Sequence, residues 1–192
     1  MPEQQTQIIK NNRENSERRW YVGIVSSRSE KKTVEALERY GFKAFAAIHK
    51  EERTWSQGRK RQIDVVVIPA KIFIFCTDKE RHSILDGHIG VLRFMVNIAG
   101  QPNEYGFRPL AVIPTKQIEA LQQLLNSSKH VEYTECYYVK GDNVRVISGV
   151  LKGYEGVVCR DAEGGSRLYI VIDGLGSAYT EIDAKDTELI KD

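Results

Sequence analysis

The chain has 192 residues, 41% hydrophobic and 28% charged, and its net charge of +2 singles out no partner. Three cysteines (Cys76, Cys136, Cys159) form no Cys-x-x-Cys pair, and their odd number argues against a disulfide framework and for a reducing cytoplasm. The N-terminal residues lack the apolar stretch of a signal peptide, and the apolar runs at 65–70 and 72–76 are too short to cross a bilayer. A soluble cytoplasmic protein is expected.

Residues 1–18 are polar and carry no apolar period, which predicts a flexible tail. Residues 20–25 are aromatic and β-branched and predict a strand. Ser27 and Glu30 stand in capping-box spacing, and Val34, Leu37 and Tyr40 recur every third residue before Gly41, predicting a one-faced helix. A second strand is expected over 42–48, then a polar, basic loop over 50–62 with Arg53, Trp55, Arg59, Lys60 and Arg61. Residues 64–76 are the most β-like in the chain, but Pro69 demands a bend, a bulge or an edge there. A short helix over 78–86, a strand over 90–96 and a loop or hairpin over 100–109 follow. Thr115 then caps a helix with the apolar face Ile118, Leu121 and Leu124/Leu125. The pattern predicts an α+β sandwich over 19–125, a mainly antiparallel sheet flanked by helices.

Residues 126–138 read as a linker. Beyond them short β runs are split by glycines, and Gly164-Gly165 is a tight-hairpin signal. Residues 139–192 therefore predict a small all-β barrel. Charge divides along the same line. Residues 1–138 carry 21 Lys/Arg against 16 Asp/Glu, and residues 139–192 carry 7 against 10. A basic front suits nucleic acid, whereas an acidic back suits another kind of partner.

No enzyme chemistry stands out. The cysteines lie in no nucleophile context, His82 and His88 are six apart with no zinc-spaced companions, and no phosphate-cradling glycine loop follows a strand. No catalytic residue, metal or cofactor is expected.

Two sets of residues do carry a signal. Gly141, Val144, Val146, Gly149, Lys152, Gly153 and Gly156 form an alternating strand, a glycine turn and a second strand. The string resembles the KOW motif of NusG-type elongation factors and some ribosomal proteins, which implies an SH3-like barrel. Its acidity favours a protein partner over a plain phosphate contact. The second set, Trp20-Tyr21-Val22, Glu30-Lys31, Gly41-Phe42, Ile68-Pro69, Val91-Leu92-Arg93-Phe94 and Val112-Ile113-Pro114 with Ile118 and Leu121, follows the order and spacing of the NusG N-terminal domain.

The resemblance implies a transcription elongation or antitermination factor. Its N-terminal domain would dock on the clamp helices of RNA polymerase through Ile24, Ile68, Pro69, Lys71 and Phe73. The plainer reading makes Ile68 and Phe73 core residues of a buried strand. Arg59, Lys60, Arg61, Arg81 and His82 would contact the non-template DNA strand, or else be solvated charges. Leu175, between Gly174 and Gly176, would either anchor a ribosomal protein or the Rho termination factor, or plug the barrel end. Ala70-Lys71 stands where general NusG proteins carry glycine and tyrosine, which points to a specialised paralogue controlling particular long operons, such as those for surface polysaccharides. The competing reading is a ribosome-associated RNA-binding KOW protein.

Overall fold

The computed structural model describes residues 17–55, 58–135, 141–160 and 165–190. Up to residue 94 the elements are β1 (Arg19–Val25), α1 (Glu30–Arg39), β2 (Lys43–Phe45), β3 (Ile48–Thr54), β4 (Lys60–Val66), β5 (Lys71–Cys76), α2 (Asp78–Asp86) and β6 (Val91–Phe94). Then follow β7 (Val112–Ile113), α3 (Thr115–Ser127), β8 (Glu132–Thr134), β9 (Asp142–Val146), β10 (Glu155–Arg160), β11 (Ser166–Ile172), β12 (Gly176–Glu181), a 3-10 turn (Ala184–Asp186) and β13 (Thr187–Leu189). The fold is mixed α/β with mostly antiparallel sheets. It divides into two units: the chain up to Ala46 with Pro69–Ile113, and Ala47–Ile68 with the chain from Pro114.

In the first unit the strands run β2–β5–β1–β6, with β7 also pairing β1. The two-residue period of β1 sorts its side chains between two faces. Tyr21 and Val25 join Ile72, Ile74, Cys76, Ala44, Val91 and Phe94 in one core, closed by Val34 and Leu37 of α1 and Ile84 and Leu85 of α2. The opposite face is aromatic. Trp20 lies 5.8 Å edge-on from Phe45 and 5.2 Å from Phe75, and Phe45 stacks on Phe73 at 4.8 Å. Burial places the Cys76 thiol at the centre of the helix-covered side and pushes its pKa up to about 12.

Helix caps depart from the spacing seen in the sequence. α1 starts at Glu30 behind Ser29, whose hydroxyl donates to Ser26 O at 2.6 Å, so Ser27 and Glu30 form no capping box. Glu30 turns inward instead, buried, and accepts the Ala70 N–H at 2.7 Å. The box forms at α2: the Thr77 hydroxyl accepts from Glu80 N at 3.1 Å, and Glu80 accepts from Thr77 N at 2.8 Å. That backbone hydrogen bond holds the Glu80 carboxyl below its ordinary pKa. Of the expected tail only Glu17 and Arg18 are described, and Arg18 pairs with Glu80 at 2.6 Å.

In the second unit, β3 and β4 pair from Ile48↔Val66 to Thr54↔Lys60. The basic loop expected over 50–62 is thus largely a ladder. Residues 50–54 and 60–62 are polar on both sides, so no apolar alternation announced that part of it. The β-like run over 64–76 splits at Val66 and Lys71, with Ala70 at φ +58°, in accord with the bend that Pro69 required. Pro114, not Thr115, occupies the N-cap of α3, whose Ile118, Ala120, Leu121, Leu124 and Leu125 are buried. The ring nitrogens of His49 on β3 lie 2.7 Å from Leu125 O and 3.0 Å from Lys129 O, tying the hairpin to the end of that helix.

The remaining strands form an antiparallel sheet in the order β13–β9–β10–β11–β12–β8. Val144, Val146, Leu168, Ile170, Ile172 and Ala178 make its buried face. Residues 126–138, read as a linker, contain the end of α3 and the whole of β8; residues 136–138 lie outside the described residues. Gly164 also lies outside them, so the expected Gly-Gly turn is not described, although Arg160↔Ser166 pairing closes the strands on either side.

Candidate functional site

Strand register assembles a patch at one end of the first unit's sheet. Ile24 lies opposite Lys71 on β5 and opposite Arg93 on β6, so the three stand in a row on the aromatic face. Ile24 and Lys71 are half-buried, and Arg93 and Pro69 are exposed. The adjoining turn is fixed at both ends: Ala70 N donates to Glu30 and Ala70 O accepts from Val25 N at 3.0 Å. A non-glycine residue at φ +58° stores on the order of 1 kcal/mol, which these bonds offset. Ile68 and Phe73, expected in the same patch, are fully buried. The sequence reading missed Arg93 as a site residue. Arg93 reaches this face through the register shift between Ile24 and Val25, since a plain two-residue period would set it on the core side with Val91.

The basic residues expected to meet nucleic acid fall on two separate elements. Arg59, Lys60 and Arg61 are exposed near the tip of the β3–β4 hairpin, beside Trp55, which is also exposed. Lys60 binds Glu52 at 2.8 Å, and this hydrogen bond raises its pKa. Arg61 faces Arg53 across the ladder, and Arg53 meets the Glu51 carboxylate at 3.6 Å. Arg81 is on α2, where Nε and Nη2 bind Asp78 at 2.9 and 2.7 Å and the guanidinium lies 5.6 Å from the Phe94 ring centre. His82 beside it is exposed, with Nδ1 2.8 Å from Asp78 O.

In the C-terminal sheet, Gly141 directly precedes β9, Val144 and Val146 lie within it, Gly149, Lys152 and Gly153 fall between β9 and β10, and Gly156 lies in β10. At Gly156 a Cβ would sit 2.5 Å from Tyr169 O, so β10 and β11 approach too closely for any side chain. Leu175, named as an anchor or a plug, is buried. Its carbonyl accepts the Tyr133 hydroxyl at 2.6 Å. A polar cluster ties the hairpin to this sheet: His130 Nδ1 meets Glu51 at 3.0 Å and Nε2 meets Glu132 at 2.9 Å, while Glu132 also accepts the Tyr179 hydroxyl. Hydrogen bonding to Glu132 raises the His130 pKa and pushes Tyr179 up to about 12.

Among the described residues, no group of His, Cys, Asp and Glu is arranged to hold a metal, and no helix is long and apolar enough to cross a membrane. The parts define a mixed α/β protein with a helix-backed sheet, a basic hairpin and a glycine-patterned antiparallel sheet. A sequence model of the family described as transcription termination factor nusG matches residues 18–122. The chain belongs to the NusG family, whose members are transcription factors rather than enzymes. Among solved structures it is similar to one titled "Domain interaction in Thermotoga maritima NusG", at 18% identity over 91% of this chain and 98% of that chain, with a TM-score of 0.46. It is also similar to two conformations of the MjSpt4:Spt5 complex. Both are 12% identical, over 89% and 90% of this chain and 97% of each of those, with TM-scores of 0.25 and 0.26. No curated protein matched the sequence.

Proposed function

We propose that this protein is a processive antitermination factor that binds elongating RNA polymerase with its N-terminal part and recruits another factor with its C-terminal KOW sheet. The row Lys71–Ile24–Arg93 beside Pro69 carries the reading. An apolar side chain flanked by two cations and a rigid proline turn suits the helix pair of a polymerase clamp with acidic margins. Ala70 and Lys71, in place of glycine and tyrosine, favour an operon-specialised member. The hairpin residues Arg53, Arg59 and Arg61, with Trp55, suit phosphates and bases of the displaced non-template strand. The C-terminal segment, with ten acidic against seven basic residues, suits a protein such as a ribosomal protein or Rho better than RNA.

The test is binding of the full chain to purified polymerase elongation complexes, with single-round transcription through pauses and a Rho-dependent terminator. Ile24→Asp combined with Arg93→Glu should weaken polymerase binding at least tenfold while the thermal unfolding of the chain stays put. Unchanged affinity would remove the patch from the mechanism. Capture of ribosomal RNA, without polymerase subunits, from nuclease-treated lysate would replace the proposal with a ribosomal role.

A further inference from the structure

Apolar side chains in water are unremarkable one at a time, but a concentration of them marks a contact surface. Among the described residues, five of the exposed large hydrophobics fall between positions 92 and 112: Leu92, Ile98, Tyr105, Phe107 and Val112. Three of these, Ile98, Tyr105 and Phe107, are 72–75% exposed on the connection between β6 and β7. A loop that exposed is ordinarily loose, and ordering it on binding would oppose affinity.

This loop is already ordered. The Asn103 side-chain oxygen accepts from Tyr105 N at 3.0 Å and Phe107 N at 2.9 Å, and Asn103 N donates to Phe107 O at 2.8 Å. Arg108 reaches back across it, with Nη1 donating to Ile98 O at 2.5 Å and Gly100 O at 2.8 Å. At its base Asn97 N donates to Pro109 O, and Val96 bridges Leu110. Two aromatic rings two residues apart are therefore held out on a braced scaffold.

The charges decide between a nucleic acid and a protein. Between residues 97 and 109 the charged side chains are Glu104 and Arg108, and Arg108 is engaged with the two carbonyls. Stacking sites for single strands combine aromatics with a cationic track, and here the charge left for a ligand is a carboxylate. An apolar cleft in a protein with a basic rim is the complementary surface.

We propose that Tyr105 and Phe107 form a second anchor that inserts into an apolar, basic-rimmed cleft of the same RNA polymerase. This rests on the polymerase reading above and is continuous with it in the chain, since the loop leaves β6 directly after Arg93 and Phe94. The two anchors are independent: one is a cationic row on a sheet, the other a neutral pair of rings on a loop.

The experiment measures binding of the full chain to purified polymerase elongation complexes. It compares wild type, Tyr105→Ser/Phe107→Ser, Tyr105→Phe/Phe107→Tyr and the patch variant Ile24→Asp/Arg93→Glu, and repeats each measurement with a fluorescent single-stranded oligonucleotide alone. The serine pair should lose about thirtyfold in affinity, as for a central aromatic hot spot. The aromatic swap should stay within about threefold, as for a near-isosteric exchange. Serine variants that bind like wild type while the patch variant fails would overturn the loop anchor and leave the polymerase reading standing. Loss of oligonucleotide binding with polymerase binding intact would assign the rings to a nucleic acid and overturn it too. Wild-type protein that does not bind polymerase would remove the reading and this anchor together.

Discussion

Replacing Gly156 by alanine puts the close approach of β10 and β11 to a quantitative test. The new methyl carbon would lie 2.5 Å from Tyr169 O and 3.0 Å from Leu168 Cδ1. Ordinary carbon–oxygen contacts begin near ~3.3 Å, so the strands must separate by about 0.8 Å. N–H···O bonds tolerate only about 0.3 Å beyond their usual length. One or two ladder bonds around the Val157↔Tyr169 pair are then lost at about 1 kcal/mol each. Crowding of Leu168 adds ~1 kcal/mol, and alanine's stiffer unfolded backbone returns ~0.5–1 kcal/mol. A net destabilisation of about 2 kcal/mol is expected. Urea titration combined with hydrogen-exchange mass spectrometry reads it directly, with protection lost in peptides of β10 and β11 and retained in β1 and β5. A Gly156→Ala protein as stable as wild type would mean that the strands do not need a bare backbone there, and the steric account of this motif glycine would fall.

The other predictions concern the cap of α2 and the acid–base cluster. Thr77→Ala removes the capping box and should destabilise by about 1 kcal/mol in thermal unfolding, while Thr77→Ser stays close to wild type; equal losses in both would show that the hydroxyl bond contributes nothing. For His130 the folded pKa is raised by Glu132 and Glu51. Its stabilisation is complete below the ordinary histidine range, near ~6.5, and is lost as pH climbs past it. Glu132 has a lowered pKa, chiefly from the Tyr179 hydroxyl, and contributes above the carboxylate range, losing its effect as pH falls through that range. The stability gap between wild type and His130→Gln should therefore be wider at pH 6 than at pH 8.5. With the His130 side chain 59% exposed, it stays below about 1 kcal/mol. A gap that widens with rising pH would contradict this assignment.

Residues 20–25, 72–76 and 118–125 were legible because burial imposes a period that the side chains repeat. Aromatic and β-branched residues alternate in β1 and β5, and leucines recur at helical spacing in α3. The outer part of the β3–β4 hairpin, residues 50–54 and 60–62, was not legible, since its ladder is held by backbone bonds and pairs such as Lys60–Glu52, which leave no apolar trace. Caps misled for a related reason. Ser27/Glu30 and Thr77/Glu80 share one spacing, but in α1 the carboxylate is drawn away by Ala70 N, forty residues off, and a local motif cannot anticipate that. The site was half legible: Ile24 and Lys71 could be named from resemblance, but their alignment with Arg93 is a matter of register. The burial of Leu175 shows the limit of composition, because a leucine between two glycines reads the same whether it points out or in.

The hairpin Ala47–Ile68 belongs to a unit whose other residues begin at Pro114, whereas the first unit is complete once Ile113 has been made. During synthesis this gives the two units different timetables. The helix-backed sheet can close as soon as Ile113 clears the ribosome. The hairpin must wait for α3, whose carbonyls His49 meets, and for β8, whose Glu132 shares His130 with Glu51. The outer part of that ribbon is polar, so it exposes little that would aggregate before its partners arrive.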